Sequence, residues 1–115
     1  MTPEVFHEMA MALPGATFDV KWGADRIYSV GGKMFASAGP EKDPAPRYAF
    51  KTSDLAYQML VDQGLARPAP YLARAKWVQL VAADALEDAD LKAYIAEAHR
   101  IVAGKLAKGV QAKLG

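Results

Sequence analysis

Tyr28-Ser29-Val30-Gly31-Gly32-Lys33-Met34-Phe35-Ala36 reads as two short strands meeting at a glycine pair. Gly-Gly supplies the positive φ angles that a two-residue hairpin turn demands, so this stretch predicts a β-hairpin near the middle of the chain. Arg26 to Val30 is the first arm and Lys33 to Ala38 the second. Upstream, Phe18, Val20 and Trp22 alternate with Asp19 and Lys21, the period-two pattern of a half-buried strand, and Gly23-Ala24-Asp25 turns the chain into the hairpin. Downstream, Gly39-Pro40-Glu41-Lys42-Asp43-Pro44-Ala45-Pro46 is a loop, because prolines have no N–H for a ladder. Arg47 to Lys51 then resumes as a strand, with Tyr48 and Phe50 on one face and Arg47, Ala49 and Lys51 on the other.

Helical signals flank these strands. Thr2 is an N-cap before Pro3, whose missing N–H is unneeded in a first turn. Val5, Phe6, Met9, Ala10 and Leu13 follow at helical spacing, and Pro14-Gly15 ends the run. Ser53 caps a second helix with Leu55, Ala56, Met59 and Leu60 as its expected buried stripe, stopped by Gly64. Arg67-Pro68-Ala69-Pro70-Tyr71 is an extended connector, and Lys76 to Ala82 is a last strand. Asp84 or Asp88 opens a final helix whose stripe is Leu91, Tyr94, Ile95, Ala98, Val102 and Leu106, weakened at its end by Gly104 and Gly109. The expected fold is one α+β domain over residues 1–115. It is a two-layer sandwich of about five mostly antiparallel strands, covered on one face by helices, in the order α-β-β-β-β-α-β-α.

Composition narrows the function classes. At 115 residues, 52% of them hydrophobic, the chain can bury one core and is not a disordered segment. No apolar run approaches the roughly 18 residues of a membrane span. Met1-Thr2-Pro3-Glu4 lacks the basic segment of a secretory signal, and the chain has no cysteine, so a cytoplasmic location is expected. Missing cysteines exclude disulfides, thiolate metal sites and a cysteine nucleophile. Net charge is +1, from 14 basic and 13 acidic residues, less than a strongly basic nucleic-acid binder carries. Acids are missing between Asp62 and Asp84, where Arg67, Arg74 and Lys76 lie, and again after Glu97.

Catalytic and cofactor motifs find little support. Gly31-Gly32-Lys33 is not a phosphate loop, because Met34 stands where a Ser or Thr is required and a strand follows instead of a helix. His7 and His99 have no second ligand at metal spacing, and His7 falls on an expected solvated helix face beside Glu4 and Glu8. Ser29, Ser37 and Ser53 form no nucleophile elbow. Asp88 and Asp90 are explained as first-turn acids of a helix. No catalytic residue, cofactor or metal is assigned, and the chain is not expected to be an enzyme.

The remaining signal is cations interleaved with apolar residues. Lys21, Lys33, Arg47 and Lys51 alternate along strands, with Phe35 in phase with Lys33. Placed on an uncovered sheet face, such residues would meet phosphates with cations and bases with a ring. The competing explanation is that solvent-facing strand positions often carry Lys or Arg to discourage edge pairing. Trp22, Trp77, Tyr48 and Phe50 are expected in the core. Arg67, Pro68, Pro70 and Tyr71 suit a rigid lip for a partner, or prolines that limit loop entropy.

Trp22-Gly23, Ser29-Val30-Gly31-Gly32-Lys33-Met34-Phe35 and Phe50-Lys51 together resemble the MmcQ/YjbR family of small bacterial proteins. The resemblance continues through Gly64, Pro68-Ala69-Pro70-Tyr71, Lys76-Trp77-Val78 and His99-Arg100-Ile101-Val102, in order and over nearly the whole chain. Ala98 departs from the pattern, which has a serine there. The resemblance implies a two-layer α+β fold similar to type III secretion chaperones, and a DNA-binding protein with a double-wing motif. Two functional readings follow. In the first, Lys21, Lys33, Arg47, Lys51, Arg74 and Lys76 contact DNA phosphates while Phe35 or Tyr71 touches bases. In the second, the domain is a protein-binding or chaperone-like module, alone or as a homodimer, that uses the open sheet face or a strand edge.

Overall fold

In the computed structural model, residues 1–21, 25–39, 47–70 and 72–106 are described. Helix α1 (Pro3–Met11) leads into strands β1 (Ala16–Lys21), β2 (Asp25–Val30), β3 (Lys33–Ala38) and β4 (Tyr48–Lys51). Helix α2 (Asp54–Asp62), β5 (Ala66–Pro68), a 3-10 turn at Ala73–Ala75, β6 (Trp77–Leu80) and α3 (Asp88–Ala103) complete the chain. All six strands form one antiparallel sheet in the order β1-β2-β3-β4-β6-β5. The sheet has one strand more than the sequence pattern suggested. Part of the proline-containing connector pairs as β5, with Pro68 at an edge, where its missing donor costs no ladder bond.

Local chemistry at most element ends is as the sequence predicts. Thr2 accepts from the Val5 amide at 3.2 Å and Ser53 from the Ala56 amide at 3.1 Å, each cap contributing about 1 kcal/mol. Gly31 and Gly32 take φ of +58° and +82°, the left-handed pair of a tight hairpin turn.

The register separates the two faces of the sheet. One row reads across all six strands as Phe18, Tyr28, Ala36, Phe50, Val78 and Pro68. It faces the helices. Phe6 of α1 stacks on Tyr48 with centroids 4.7 Å apart and lies 5.7 Å from Tyr28. α3 buries Leu91, Ile95, Ala98 and Val102 against β3 and β4. Three of these side chains, Leu91, Ile95 and Val102, stabilise the layer by roughly 1.5–3 kcal/mol each. Ala36 and Ala38 are small, which lets α3 approach the sheet closely.

Two helix details differ from the sequence pattern. Leu55 and Met59 are exposed, and α2 packs instead through Leu60 with Tyr57 and Val61. α2 covers the β5–β6 end of the sheet, so its contact stripe is rotated from the one its apolar residues suggested. His7 is half-buried and its Nδ1 lies 2.9 Å from the Tyr28 hydroxyl, so it ties α1 to β2 instead of facing solvent. No helix among the described residues is long and apolar enough to cross a membrane.

Candidate nucleic-acid interface on the open sheet face

The next register row is Asp19, Ile27, Ser37, Ala49, Gln79 and Arg67, again one residue from each strand. It faces away from α1 and α3. On this side Ala49, Ala69 and Trp77 form a small second core with Met34 and Leu72. The segment after β5 therefore folds over part of the face; Ile27 in this row is also buried, while Asp19, Lys21 and Arg67 are exposed. Ser37 and Ala49 are small residues at mid-sheet, flanked by the taller Met34, Leu72 and Arg47. The result is a concavity of about 620 Å³, also lined by Asp25, Gly39, Ala69, Pro70 and Gln79.

The eight residues singled out from sequence are scattered by this register. Lys21 and Arg47 are exposed on the open side. Arg47 lies against Gly39, where an added Cβ would come 3.4 Å from the Arg47 Cβ and Nε. Arg74 is exposed on the 3-10 turn beside the face. Lys51 is on the open side by register, opposite Trp77, but it is only 9% exposed and its Nζ donates to the Ala75 carbonyl. Burial first, and the neighbouring Lys105 ammonium second, hold its pKa below the ordinary lysine range. Lys76 is half-buried, with its Nζ 4.9 Å from the Tyr57 ring centroid. It adopts φ +60°, and its carbonyl accepts from the Thr52 amide at 2.9 Å and the Thr52 hydroxyl at 2.6 Å. Both lysines therefore serve the junction of β4, α2 and β6.

Lys33 and Phe35 lie on the other side. Lys33 pairs with Val30, a helix-facing core residue. A β-bulge follows: Tyr28 pairs with Ala36 and Ser29 with Met34, so Phe35 is the extra residue. It turns into the helix layer, where it is 0% exposed and meets His99 edge-on at 5.4 Å. Phe35 is a core residue here and offers no surface for a base. Tyr71 and Trp22 lie outside the described residues.

Residues missed from sequence are Asp25, Ser37 and Gln79 as parts of one surface; Arg67, read from sequence as part of a partner lip, lies in the same row as Ser37 and Gln79. The small residues Ser37 and Ala49 in otherwise bulky strands were the available signal, but their alignment depends on register. A second groove of about 530 Å³, between α1 and β1, is lined by His7, Phe18, Val20 and Arg26. Its groups are largely committed to the fold: His7 contacts Tyr28, and the His7 and Phe18 rings meet edge-on at 4.7 Å.

Charge separates with the layers. The helix side carries Glu4, Glu8, Asp54, Asp62, Asp88, Asp90 and Glu97 against Lys92 and Arg100 on the helices and Arg26 and Lys33 on the strands. The open side carries Lys21, Arg47, Arg67 and Arg74, with Lys51 set deeper, against Asp19 and Asp25; Lys76 turns to Tyr57 of α2 instead. Among the described residues, Lys21, Arg67 and Arg74 form no ion pair.

The sequence model of the YjbR family matches residues 11–101, from the end of α1 to the last turns of α3. Among solved structures, the chain is similar to Deinococcus radiodurans protein DR2400, which carries a DUF419 domain. The TM-score is 0.86 at 18% identity, over 99% of this chain and 88% of that one. At that identity the likeness establishes the fold. None of the curated proteins matches the sequence. Most of the chain is thus accounted for by one family model and its architecture by one closely similar fold, and the protein belongs to the YjbR family.

Proposed function

We propose that this domain is a non-catalytic DNA-binding protein whose contact surface is the open sheet face. The observation that carries the reading is the separation of charge between the layers. Net charge near zero hides a basic face backed by acidic helices, and such a face attracts a polyanion while the opposite layer repels it. Lys21, Arg47, Arg67 and Arg74 would meet phosphates. Lys51 raises the local potential from a position where its side chain also holds the β4–α2 junction.

Fluorescence anisotropy of labelled duplex and single-stranded DNA, across a salt series, tests this. Four phosphate contacts would give a log–log salt slope of about −3 to −4. Lys21→Glu combined with Arg67→Glu should weaken binding by an order of magnitude or more and flatten that slope, with circular dichroism unchanged. Arg100→Glu on the helix layer is the control and should leave affinity within about twofold. Equal losses from both faces, or no binding at low salt, would end this assignment.

One observation favours a second reading, a protein-binding or self-associating module. β1 is an edge strand whose Phe18 and Val20 are 45% and 53% exposed. The Val20 amide is occupied by the Asp19 carboxylate at 2.8 Å, a device that discourages an incoming strand. Sedimentation equilibrium decides: a concentration-dependent dimer supports this reading, and a monomer throughout removes its self-association form.

A further inference from the structure

We propose that the concavity on the open sheet face is a nucleobase site with a preference for guanine. It is built at the centre of the sheet, over Ser37, Ala49 and Gln79, from three strands that share one register row. Its volume of about 620 Å³ lies in the range of small-molecule sites. Met34 and Leu72 provide apolar walls suited to the faces of a flat ring.

Besides Arg47, three polar residues line the same space: Asp25, Ser37 and Gln79. None of them is engaged by a side-chain hydrogen bond or ion pair from another described residue. Groups of this kind in an apolar-walled pocket are what fixes the orientation of a bound ligand. The carboxylate selects among ligands. It repels a phosphate or another acid from the interior and rewards a ligand edge rich in N–H donors. Guanine presents N1–H and the N2 amino group side by side, matching the two acceptor oxygens of one carboxylate. Ser37 and Gln79 can each serve the remaining acceptors of the ring. Two cations adjoin the carboxylate: Arg47 lines the same pocket and Lys21 is the cross-strand neighbour of Asp25. A base inside and its phosphate at the rim therefore fit one arrangement. The base can come from a strand with one nucleotide splayed out, or from a free nucleotide.

This inference rests on the nucleic-acid reading for the strand as its source, and the test separates the two. Anisotropy would compare a labelled thymidine oligonucleotide with the same oligonucleotide carrying one central guanine, at one low salt concentration. In parallel, guanosine 5′-monophosphate would be titrated into isotope-labelled protein while the amide signals of Ser37, Ala49 and Gln79 are followed. The guanine-bearing strand is expected to bind about fivefold tighter or more, the low end of one bidentate base contact. Asp25→Asn should erase that ratio without changing the salt slope. Binding of both strands with equal affinity would overturn the pocket assignment and leave the phosphate-binding face standing. If neither strand bound but the nucleotide shifted those amides in wild type and not in Asp25→Asn, the pocket would stand with a free nucleotide as its ligand, and the DNA reading would fall. Silence in both arms would overturn both.

Discussion

Replacing Gly31 by alanine should be distinctly worse than replacing its neighbour Gly32, although both occupy the same turn. Gly31 has φ +58° and Gly32 has φ +82°, so each alanine carries a left-handed penalty of about 1–2 kcal/mol. The surroundings differ. A Cβ on Gly32 meets nothing within 4 Å, whereas one on Gly31 would sit 2.5 Å from Leu106 Cδ1 and 3.0 Å from Cδ2. Overpacking of this kind adds about 1–3 kcal/mol, and the lower half is expected because the obstacle is the tip of a side chain. For 115 residues, 1 kcal/mol corresponds to about 4 °C in Tm. Gly32→Ala should therefore lower Tm by about 4–8 °C, and Gly31→Ala by about 8–16 °C. Thermal and urea melts would measure both. The Gly31→Ala/Leu106→Ala pair should be milder than the sum of its singles by the overpacking cost, since the shorter side chain vacates the space. If the two glycine variants agreed within about 0.5 kcal/mol, or the double variant were additive, the packing of residue 106 against the hairpin would be refuted.

Other consequences can be read in the same way. His99 Nε2 lies 2.7 Å from the Pro14 carbonyl, joining α3 to the turn between α1 and β1, and His99→Phe leaves that oxygen without its donor. A loss of about 1–3 kcal/mol is expected in urea denaturation, and no loss would show that the contact contributes nothing. The Lys51 ammonium titrates below its ordinary 10.5 because folding buries it beside Lys105. Between the lowered folded value and 10.5 the unfolded chain binds more protons, so this residue makes stability rise with pH in that window; below it the full penalty applies. Lys51→Met lacks the penalty. Its stability relative to wild type should therefore fall as pH climbs from neutrality towards 10.5, and parallel stability–pH curves would contradict the assignment. The charge-reversal pair on the open face and the Asp25→Asn specificity test complete the set.

The features legible in the chain were local ones. Thr2, Ser53, Gly31-Gly32 and Gly64 act on backbone within a few residues, and the structure uses each of them as the sequence implies. The stripe of α3 was equally legible, because a long helix with one apolar side packs with that side inward. The stripe of α2 was not. Its exposed Leu55 and Met59 look as apolar as its buried Leu60, and only the position of β5 and β6 beneath the helix distinguishes them.

The candidate site shows the same division more sharply. Cations alternating along strands could be read from sequence, as could the hairpin that sets β2 against β3. Which of them share a face could not, because one extra residue in β3 changes the phase. On one side of the bulge Lys33 and Phe35 face the helices; on the other Ser37 faces the open side. A period of two counted through Phe35 therefore puts the wrong ring on the surface. The pocket depends on more distant choices still: Asp25, Ser37, Ala49 and Gln79 come from four strands, and nothing local to any of them specifies the others. Sequence alone determined most of the elements, the caps at Thr2 and Ser53 and the resemblance to the family, since these depend on backbone preferences and side-chain period within short windows. Tertiary structure alone decided strand order, the bulge, and hence which charges stand together on one face, because those depend on hydrogen bonds between segments far apart in the chain.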